Sequence, residues 1–156
     1  LFVKNDFGDI DLEQAMAGSY DMHTNSGDIT VDGAKGKLKA DTDFGNVTIT
    51  NAQSVTLTVE TNSGTIEFSG SLGVGPHMVK SDFGAIDISL PSDVKLTVDL
   101  KTDFGTIKSD LPVTIVVNGR GSNSDSDHLG GTINGGGEQL TVQANSGNIN
   151  IKTISK

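Results

Sequence analysis

The 156-residue sequence lacks cysteine and tryptophan, and only 4% of its residues are aromatic. Without cysteine the chain forms neither a disulfide frame nor a thiolate metal site. No stretch reaches the ~18–20 consecutive apolar residues of a membrane span, and no signal peptide is recognisable. We therefore expect no direct membrane insertion by these residues.

Basic residues are also scarce. The sequence contains 11 Lys and Arg and 20 Asp and Glu, which gives a formal net charge of −9. This charge argues against nucleic acid or anionic lipid as a partner bound by simple attraction. The acidic residues are scattered rather than gathered into runs, which is typical of a solvated surface.

The dominant feature that is present is a repeat. Seven times the chain places Asp or Asn, then Phe or Ser, then Gly, usually after a small polar residue. The seven turn glycines are Gly8, Gly27, Gly45, Gly64, Gly84, Gly105 and Gly147. The first six are 18 to 21 residues apart, and the last interval of 42 leaves room for one degraded copy near Gly131. A fixed period near 20 predicts an array of stacked β units.

Apolar residues alternate with polar ones on both sides of each turn. Around Gly64, positions −7, −5, +2 and +4 are Leu57, Val59, Ile66 and Phe68, and the other copies are similar. Alternation with period 2 predicts two short strands, each with one buried face, and the frequent glycines argue against helix. We predict an all-β, single-stranded β-solenoid (β-helix-like) of about eight repeat units of 18–21 residues. The last units are irregular, and residues 1–156 form one domain.

Counted from each glycine, the inward positions are −7, −5 and −3 on one side and +2 and +4 on the other. The turn therefore spans positions −2 to +1. A β-arc fits this spacing, with the strands pairing between neighbouring coils and the glycine at positive φ. We favour it over stacked hairpins, whose two-residue loops prefer Asn-Gly or Gly-x. The residue before Gly alternates between Phe and Ser until Phe104. Two units per coil would stack Phe on Phe, whereas one unit per coil would interleave the two types, and the sequence leaves both arrangements open.

Two segments depart from the repeat. Leu111 to Val117, with Pro112 near its start, is interpreted as an extra strand. Residues 118–131 are rich in Gly, Ser, Asn and Asp and are predicted to form a mobile loop, although Leu129–Ile133 is similar to half of a repeat. Because the chain opens at Leu1 within a strand, we expect a fragment of a longer protein that is tethered through a missing segment.

Groups that could carry chemistry are few. The Asp-Phe-Gly tripeptides match the magnesium motif of protein kinases, but its companion motifs are missing, so we interpret them as turns. Asp125 and Asp127 are weakly similar to a calcium loop that lacks its Gly and its bidentate Glu. His23, His77 and His128 show no ligand spacing, and His77 takes an inward position expected of a core or cap residue. We predict no enzyme, no metal site and no cofactor.

Several segments resemble a known family. They include Thr-Asn-Ser-Gly-x-Ile units, Leu-Pro-Ser-Asp followed by Lys-Leu-Thr-Val, and Gly-Thr-Ile-Asn-Gly-Gly-Gly-Glu at residues 131–138, which is the most specific. Over essentially the whole chain these are similar to the bacterial adhesin-like β-repeat domains of the toast-rack superfamily. The repeated Phe before Gly departs from the commoner Ser. The resemblance implies a β-solenoid and an extracytoplasmic interaction role at the cell envelope, without catalytic residues. Some relatives are encoded with envelope-stress systems of Gram-positive bacteria, including the Lia type.

Three functional hypotheses follow. The first is a non-enzymatic interaction domain in adhesion or envelope-stress signalling, with a protein or cell-surface partner or self-association. The second is a purely structural spacer. The third is a carbohydrate-active β-helix enzyme, which would need a cluster of acids that breaks the repeat, and no such cluster is apparent.

The candidate binding residues are aromatic and occupy a turn position that Ser fills in the sister repeats. They are Phe7, Phe44, Phe83 and Phe104. A row of rings along one edge of an acidic domain would form an apolar contact site. The alternative is that each ring shields the backbone of its own corner.

Overall fold

The computed structural model describes residues 1–14, 16–115 and 128–154. Over these residues the chain forms strands and turns and no helix, so it contains no helix able to cross a membrane. The strands are β1 (Phe2–Phe7), β2 (Ile10–Glu13), β3 (Ser19–Ser26), β4 (Ile29–Asp32), β5 (Lys35–Phe44), β6 (Val47–Ser63), β7 (Ile66–Leu72), β8 (His77–Phe83), β9 (Ile86–Leu90), β10 (Leu96–Phe104), β11 (Ile107–Ser109), β12 (Val113–Thr114), β13 (His128–Ile133), β14 (Glu138–Ser146) and β15 (Ile149–Thr153). The all-β prediction is confirmed.

The strands stack in parallel from one coil to the next. Strands before the turn glycines pair in the order β1, β3, β5, β6, β8, β14 and β10, which we call face 1. Strands after the glycines pair in the order β2, β4, β6, β7, β9, β15 and β11, which we call face 2. The long β6 belongs to both faces. Since β1 pairs with β3 and not with β2, each turn is a β-arc, and the solenoid has one repeat unit per coil.

The coils are not stacked in chain order at the C-terminal end. The last coil, residues 138–153, lies between the coil of residues 77–90 and the coil of residues 96–109. Val142 pairs with Val79 on one side and with Leu100 on the other. The seventh turn of the sequence is therefore the sixth in space, a rearrangement that local sequence patterns do not encode.

The core is a thin layer between the two faces, filled by the predicted inward positions. Leu57, Val59, Ile66 and Phe68 are all at most 2% exposed. At roughly 25 cal/mol per Å² of apolar surface, burial of such side chains is the main stabilising contribution of each coil. The first coil has only one neighbour, and accordingly Leu1 is 52% exposed.

The far end of face 1 carries an antiparallel addition. Strand β13 pairs antiparallel with β10, and β12 pairs antiparallel with β13. The segment around Gly131 is thus a strand of this addition and not a degraded repeat. The loop was predicted at residues 118–131, but the residues from His128 onward lie in β13. The predicted end of the loop is therefore too late, because the backbone of these residues pairs with β10. The rest of the loop, with Asp125 and Asp127, lies outside the described residues.

The predicted extra strand is also shorter than expected where the structure describes it. It was placed at Leu111 to Val117, and β12 covers only Val113–Thr114. Leu111 is buried against the core. Residues 116 and 117 lie outside the described residues.

The glycine corners bring neighbouring backbones very close together. The N–H of Gly64 donates to the carbonyl oxygen of Phe83 at 2.8 Å, and the same bond recurs from corner to corner. A Cβ atom added at Gly64 would lie 1.9 Å from the carbonyl oxygen of Gly45. The corresponding distance is 2.0 to 2.1 Å at the other stacked corners. Since no side chain fits at this distance, glycine is required for the coils to stack.

A row of buried hydroxyls fixes each corner from inside. They donate to the carbonyl oxygen of the turn glycine in the adjacent coil at distances of 2.9 to 3.2 Å, which satisfies an acceptor that the strand ladder leaves over. The donors are Thr24, Thr42, Thr61, Ser81 and Thr102. Ala144 occupies the same register position in the inserted coil, pairing with Ser81, and has no hydroxyl to donate.

His77 is a core residue, as its inward position predicts. Its ring is 1% exposed, its Nδ1 accepts from the Leu57 N–H at 3.2 Å, and its Nε2 lies 3.1 Å from the Gly73 carbonyl oxygen. The two bonds require a neutral ring with the proton on Nε2. Burial lowers the pKa of His77 below its ordinary value, against the smaller opposing influence of Gly73 and Glu138.

Replacing Gly64 with Val should destabilise the domain by about 3 kcal/mol or more, because a Cβ at this corner meets the backbone of the preceding coil. Ser63→Ala, one residue away and exposed, is the matched control and should cost little. Chemical denaturation of both variants measures the difference. Equal losses of unfolding free energy would contradict the corner geometry.

His77 should make the domain less stable in mild acid. The unfolded residue titrates near 6.5, and the folded residue titrates lower. The unfolded state therefore binds more protons between the two values, and stability falls as pH drops below about 6.5. His77→Leu, which installs the residue found at this position in most of the other coils, such as Leu57 and Leu140, should show a smaller loss of melting temperature between pH 7.5 and pH 5.5. An unchanged pH dependence in the variant would show that His77 is not the group responsible.

Candidate binding edge

The residues that precede the turn glycines form one row along the edge between the two faces. Phe7 pairs with Ser26, Ser26 with Phe44, and Phe44 with Ser63. The row continues through Phe83, Ser146 and Phe104. In space the order is therefore Phe, Ser, Phe, Ser, Phe, Ser, Phe without interruption. We call this row the Phe/Ser edge.

The break in alternation at Phe104 exists only in the sequence. Because the coil that carries Ser146 is inserted before the coil that carries Phe104, serine separates Phe83 from Phe104 in the structure. Neighbouring parallel strands are about 4.8 Å apart, so successive phenylalanines are about 9.6 Å apart. The rings are thus interleaved with serines, as expected for one unit per coil.

The four rings are exposed. The exposed fractions are 79% for Phe7, 64% for Phe44, 63% for Phe83 and 78% for Phe104. The row is seven coils long, so it extends over about 29 Å. The structure brings all four predicted site residues to one edge. Their role in binding stays a prediction.

A second alternation accompanies the first, one residue earlier in the chain. Each Phe follows an Asp and each of the three Ser follows an Asn, so the spatial order is Asp, Asn, Asp, Asn, Asp, Asn, Asp. These residues are Asp6, Asn25, Asp43, Asn62, Asp82, Asn145 and Asp103. The Asn62 amide donates to Asp43 at 3.0 Å, and the Asn145 amide donates to Asp82 at 3.1 Å.

This pattern keeps like charges apart. Carboxylates in adjacent coils would face each other about 4.8 Å apart, and like charges at that distance are destabilising. An intervening amide doubles the separation of the carboxylates, and the Asn62 and Asn145 amides donate hydrogen bonds to charged acceptors, which are stronger than neutral bonds. Sequence reasoning missed this ladder. The coupling of Asp to Phe and of Asn to Ser was visible, but the spatial order depends on the inserted coil.

Hydrogen bonds also fix the backbone of the edge at the residue that follows each turn glycine. The Asp9 carboxylate accepts from the Asp28 N–H at 2.9 Å, and Asp28 accepts from the Asn46 N–H at 2.7 Å. Asn46 and Asn148 repeat this contact with the next coil. Each ring therefore projects from a fixed backbone, which lowers the entropic cost of using it as a contact.

The described residues offer little for catalysis. Among them no three His, Cys, Asp or Glu side chains lie together in a way that could hold a metal ion. A shallow cavity of about 690 Å³ lies at the opposite edge, next to Gln14, Ala17, Gly33 and Gly36, with Lys35 as the one titratable residue in its described lining. His23 and His128 are each beside an aspartate, Asp41 and Asp99, on the surface.

These observations define a β-solenoid domain with an exposed aromatic edge. Residues 1–152 match the Toastrack DUF4097 family, and the chain belongs to this family of domains, whose function is not established. No curated protein matches the chain, and no solved structure matches it. The resemblance to toast-rack domains deduced from the Gly-Thr-Ile-Asn-Gly-Gly-Gly-Glu segment and the turns is therefore confirmed.

Replacing Phe44 and Phe83 together with Ser should leave the melting temperature nearly unchanged. Both rings are mostly exposed, and exposed substitutions usually change stability by about 0.5 kcal/mol or less. Phe68→Ser, which removes a buried ring, is the matched control and should cost several times more. A large stability loss in the double variant would mean that the rings shield their own corners and are structural.

Proposed function

We propose that this domain is a non-enzymatic, extracytoplasmic interaction domain of a bacterial cell-envelope protein, which acts in adhesion or envelope-stress signalling. Its contact surface is the Phe/Ser edge, and its partner is a protein. The observation that supports the contact surface is the presence of four exposed phenylalanines in one row.

The fold itself does not need these rings. Ser26, Ser63 and Ser146 occupy the same corner position in the other three coils, and the corners that contain them have the same glycine geometry. Exposed phenylalanine has a solubility cost in a protein with no other use for it, because contiguous apolar surface favours association. Aromatic residues are also the side chains most enriched in interface cores.

The proposed location and role rest on the resemblance of the turns and of residues 131–138 to adhesin-like domains. An acidic and evenly charged surface fits a domain that does not bind nucleic acid or anionic membranes directly. A tether outside the described residues would hold it at the membrane. A purely structural spacer would need the same solenoid but no aromatic row, and the rings therefore favour a binding role.

Site-specific photocrosslinking tests the contact surface. In the full-length protein in its host cells, p-benzoylphenylalanine at position 44 or 83 should give discrete adducts, because these side chains would lie at an interface. The same residue at Thr30 on face 2 and at Lys39 on face 1, both exposed, serves as the control and should give few adducts. Adducts no more frequent at 44 and 83 than at the controls would overturn the proposal in favour of a spacer.

Location is tested through the absence of cysteine from this chain. A Thr30→Cys variant should react with a membrane-impermeant maleimide in intact cells, whereas the parent domain should not. Labelling that appears only after cell lysis would place the domain inside the cytoplasm and remove the extracytoplasmic part of the proposal.

A further inference from the structure

The geometry of the Phe/Ser edge points to its partner: we propose that the edge binds a second copy of itself, with the rings of each copy lying in the serine gaps of the other. This inference rests on the proposed function, because it names the partner of the same surface. The two copies are related by a two-fold axis, as in most homo-oligomers.

The first argument is the spacing of the rings. Phenylalanines in one row are about 9.6 Å apart, and the serine between them leaves a gap. A ring placed in that gap lies about 4.8 Å from the ring on either side, within the 4.5–7 Å preferred for aromatic pairs. A partner that fills several gaps at once must have the same 9.6 Å repeat. A second copy has this repeat by construction of the fold.

The second argument is that the order of Phe and Ser along the row is the same from either end. A two-fold axis reverses the order of coils in the second copy, and the reversed order is again Phe, Ser, Phe, Ser, Phe, Ser, Phe. When the copies are offset by one coil, six positions of each row lie opposite the other row. Three of these six carry a ring, and each of these rings faces a serine of the other copy. Without the offset every ring would face a ring.

The third argument is electrostatic. The Asp and Asn alternation has the same phase as the Phe and Ser alternation, so the offset that puts rings opposite serines also puts each Asp opposite an Asn. Without the offset, Asp would face Asp across the interface, and directly opposed like charges are repulsive. Ring packing and charge therefore select the same arrangement.

Two offset arrangements are possible, one coil up or one coil down, and both use the same central residues. In one, Phe44 lies opposite Ser63, and in the other, Phe83 lies opposite Ser63. Phe44, Phe83 and Ser63 are thus engaged in each arrangement. In the first arrangement Phe7 lies in a gap of the other copy and Phe104 only flanks a gap, and in the second arrangement these two roles are exchanged.

The area involved fits a weak dimer. Six rings that are about two-thirds exposed, at ~150–250 Å² each, contribute roughly 600–1000 Å² in total. Stable interfaces bury about 1,200–2,000 Å². Each copy also has a charge of −9, so the dimer should be weak at low salt and strengthen as salt screens the repulsion. A basic partner would show the opposite salt dependence.

Sedimentation equilibrium of this chain over a range of concentrations tests the inference. The wild type should dimerise reversibly, and more tightly at about 300 mM than at about 30 mM salt. Phe44→Ser combined with Phe83→Ser should raise Kd by about tenfold or more, because central aromatic residues dominate interface energetics. A wild-type chain that is monomeric at all concentrations and both salt levels would overturn the inference.

The decisive variant fills a gap. Ser63→Phe makes the edge more apolar, yet it closes the central gap of both arrangements, so it should also raise Kd by about tenfold. Ser63→Ala keeps the gap open and should leave Kd unchanged. Circular dichroism melting checks that both variants fold. If Ser63→Phe associates more tightly than the wild type, the edge is a non-specific apolar patch and interleaving is refuted.

Contacts between copies can be observed directly. In a mixed sample of isotopically labelled and unlabelled chains, filtered NMR should show intermolecular NOEs between ring protons of Phe44 or Phe83 and the Cβ protons of Ser63. Dimers without these NOEs would refute the arrangement.

The crosslinking experiment then separates this inference from the proposed function. Adducts from position 44 exclusively to another protein, together with a monomeric wild type, would remove the self-association and leave the interaction role standing. Adducts to a second copy would support both. No adducts above the controls would remove both.

Discussion

The close approach of neighbouring backbones at the glycine corners is the constraint on which the rest of the structure depends. With the carbonyl oxygen of Gly45 at 1.9 Å from where a Cβ of Gly64 would be, each coil is fixed directly above the one before it. Strand hydrogen bonds then extend over both faces, and equivalent residues of neighbouring coils fall into rows. The buried leucines and valines, the hydroxyls that bind the corner carbonyls, and the exposed rings are three such rows.

These rows impose a constraint on the sequence, because the residue at each position lies about 4.8 Å from the equivalent residue of the adjacent coil. Apolar and hydroxyl-bearing residues can be repeated in every coil. At the Phe/Ser edge the carboxylates and the large exposed rings are spaced by smaller or neutral neighbours, although acidic residues do pair elsewhere, as Asp41 does with Glu60. The alternation of Asp-Phe with Asn-Ser satisfies this constraint. Stacking residues 96–109 directly on residues 77–90 would put Asp103 beside Asp82 and Phe104 beside Phe83, and the inserted coil with Asn145 and Ser146 prevents both contacts.

Sequence reasoning was sufficient for everything that repeats locally. The period near 20 and the alternation at Leu57, Val59, Ile66 and Phe68 were enough to predict the solenoid, its buried face and the β-arc. The inward position of His77 was predicted from the same register. The family followed from turns and from the segment at residues 131–138.

The order of the coils could not be predicted, because it depends on pairing between distant segments that carry equally suitable strands. The same limit applies to Gly131, whose neighbours look like half a repeat but pair antiparallel with β10. The candidate site was predicted as four residues, yet its regular spacing and its Asp and Asn ladder became visible only with the coils in their spatial order. The predicted end of the loop at residue 131 was also too late. It was based on local composition, and a Gly-rich segment can still pair as a strand.

The insertion of the last coil has a consequence for how the domain is made. During synthesis the first five coils can stack one after another as they leave the ribosome, since each finds its neighbour already in place. The coil of residues 96–109 emerges next but has no proper neighbour until residues 138–153 are complete. In the interval the edges of β8 and β10 are both unpaired, and such edges are templates for pairing with other chains.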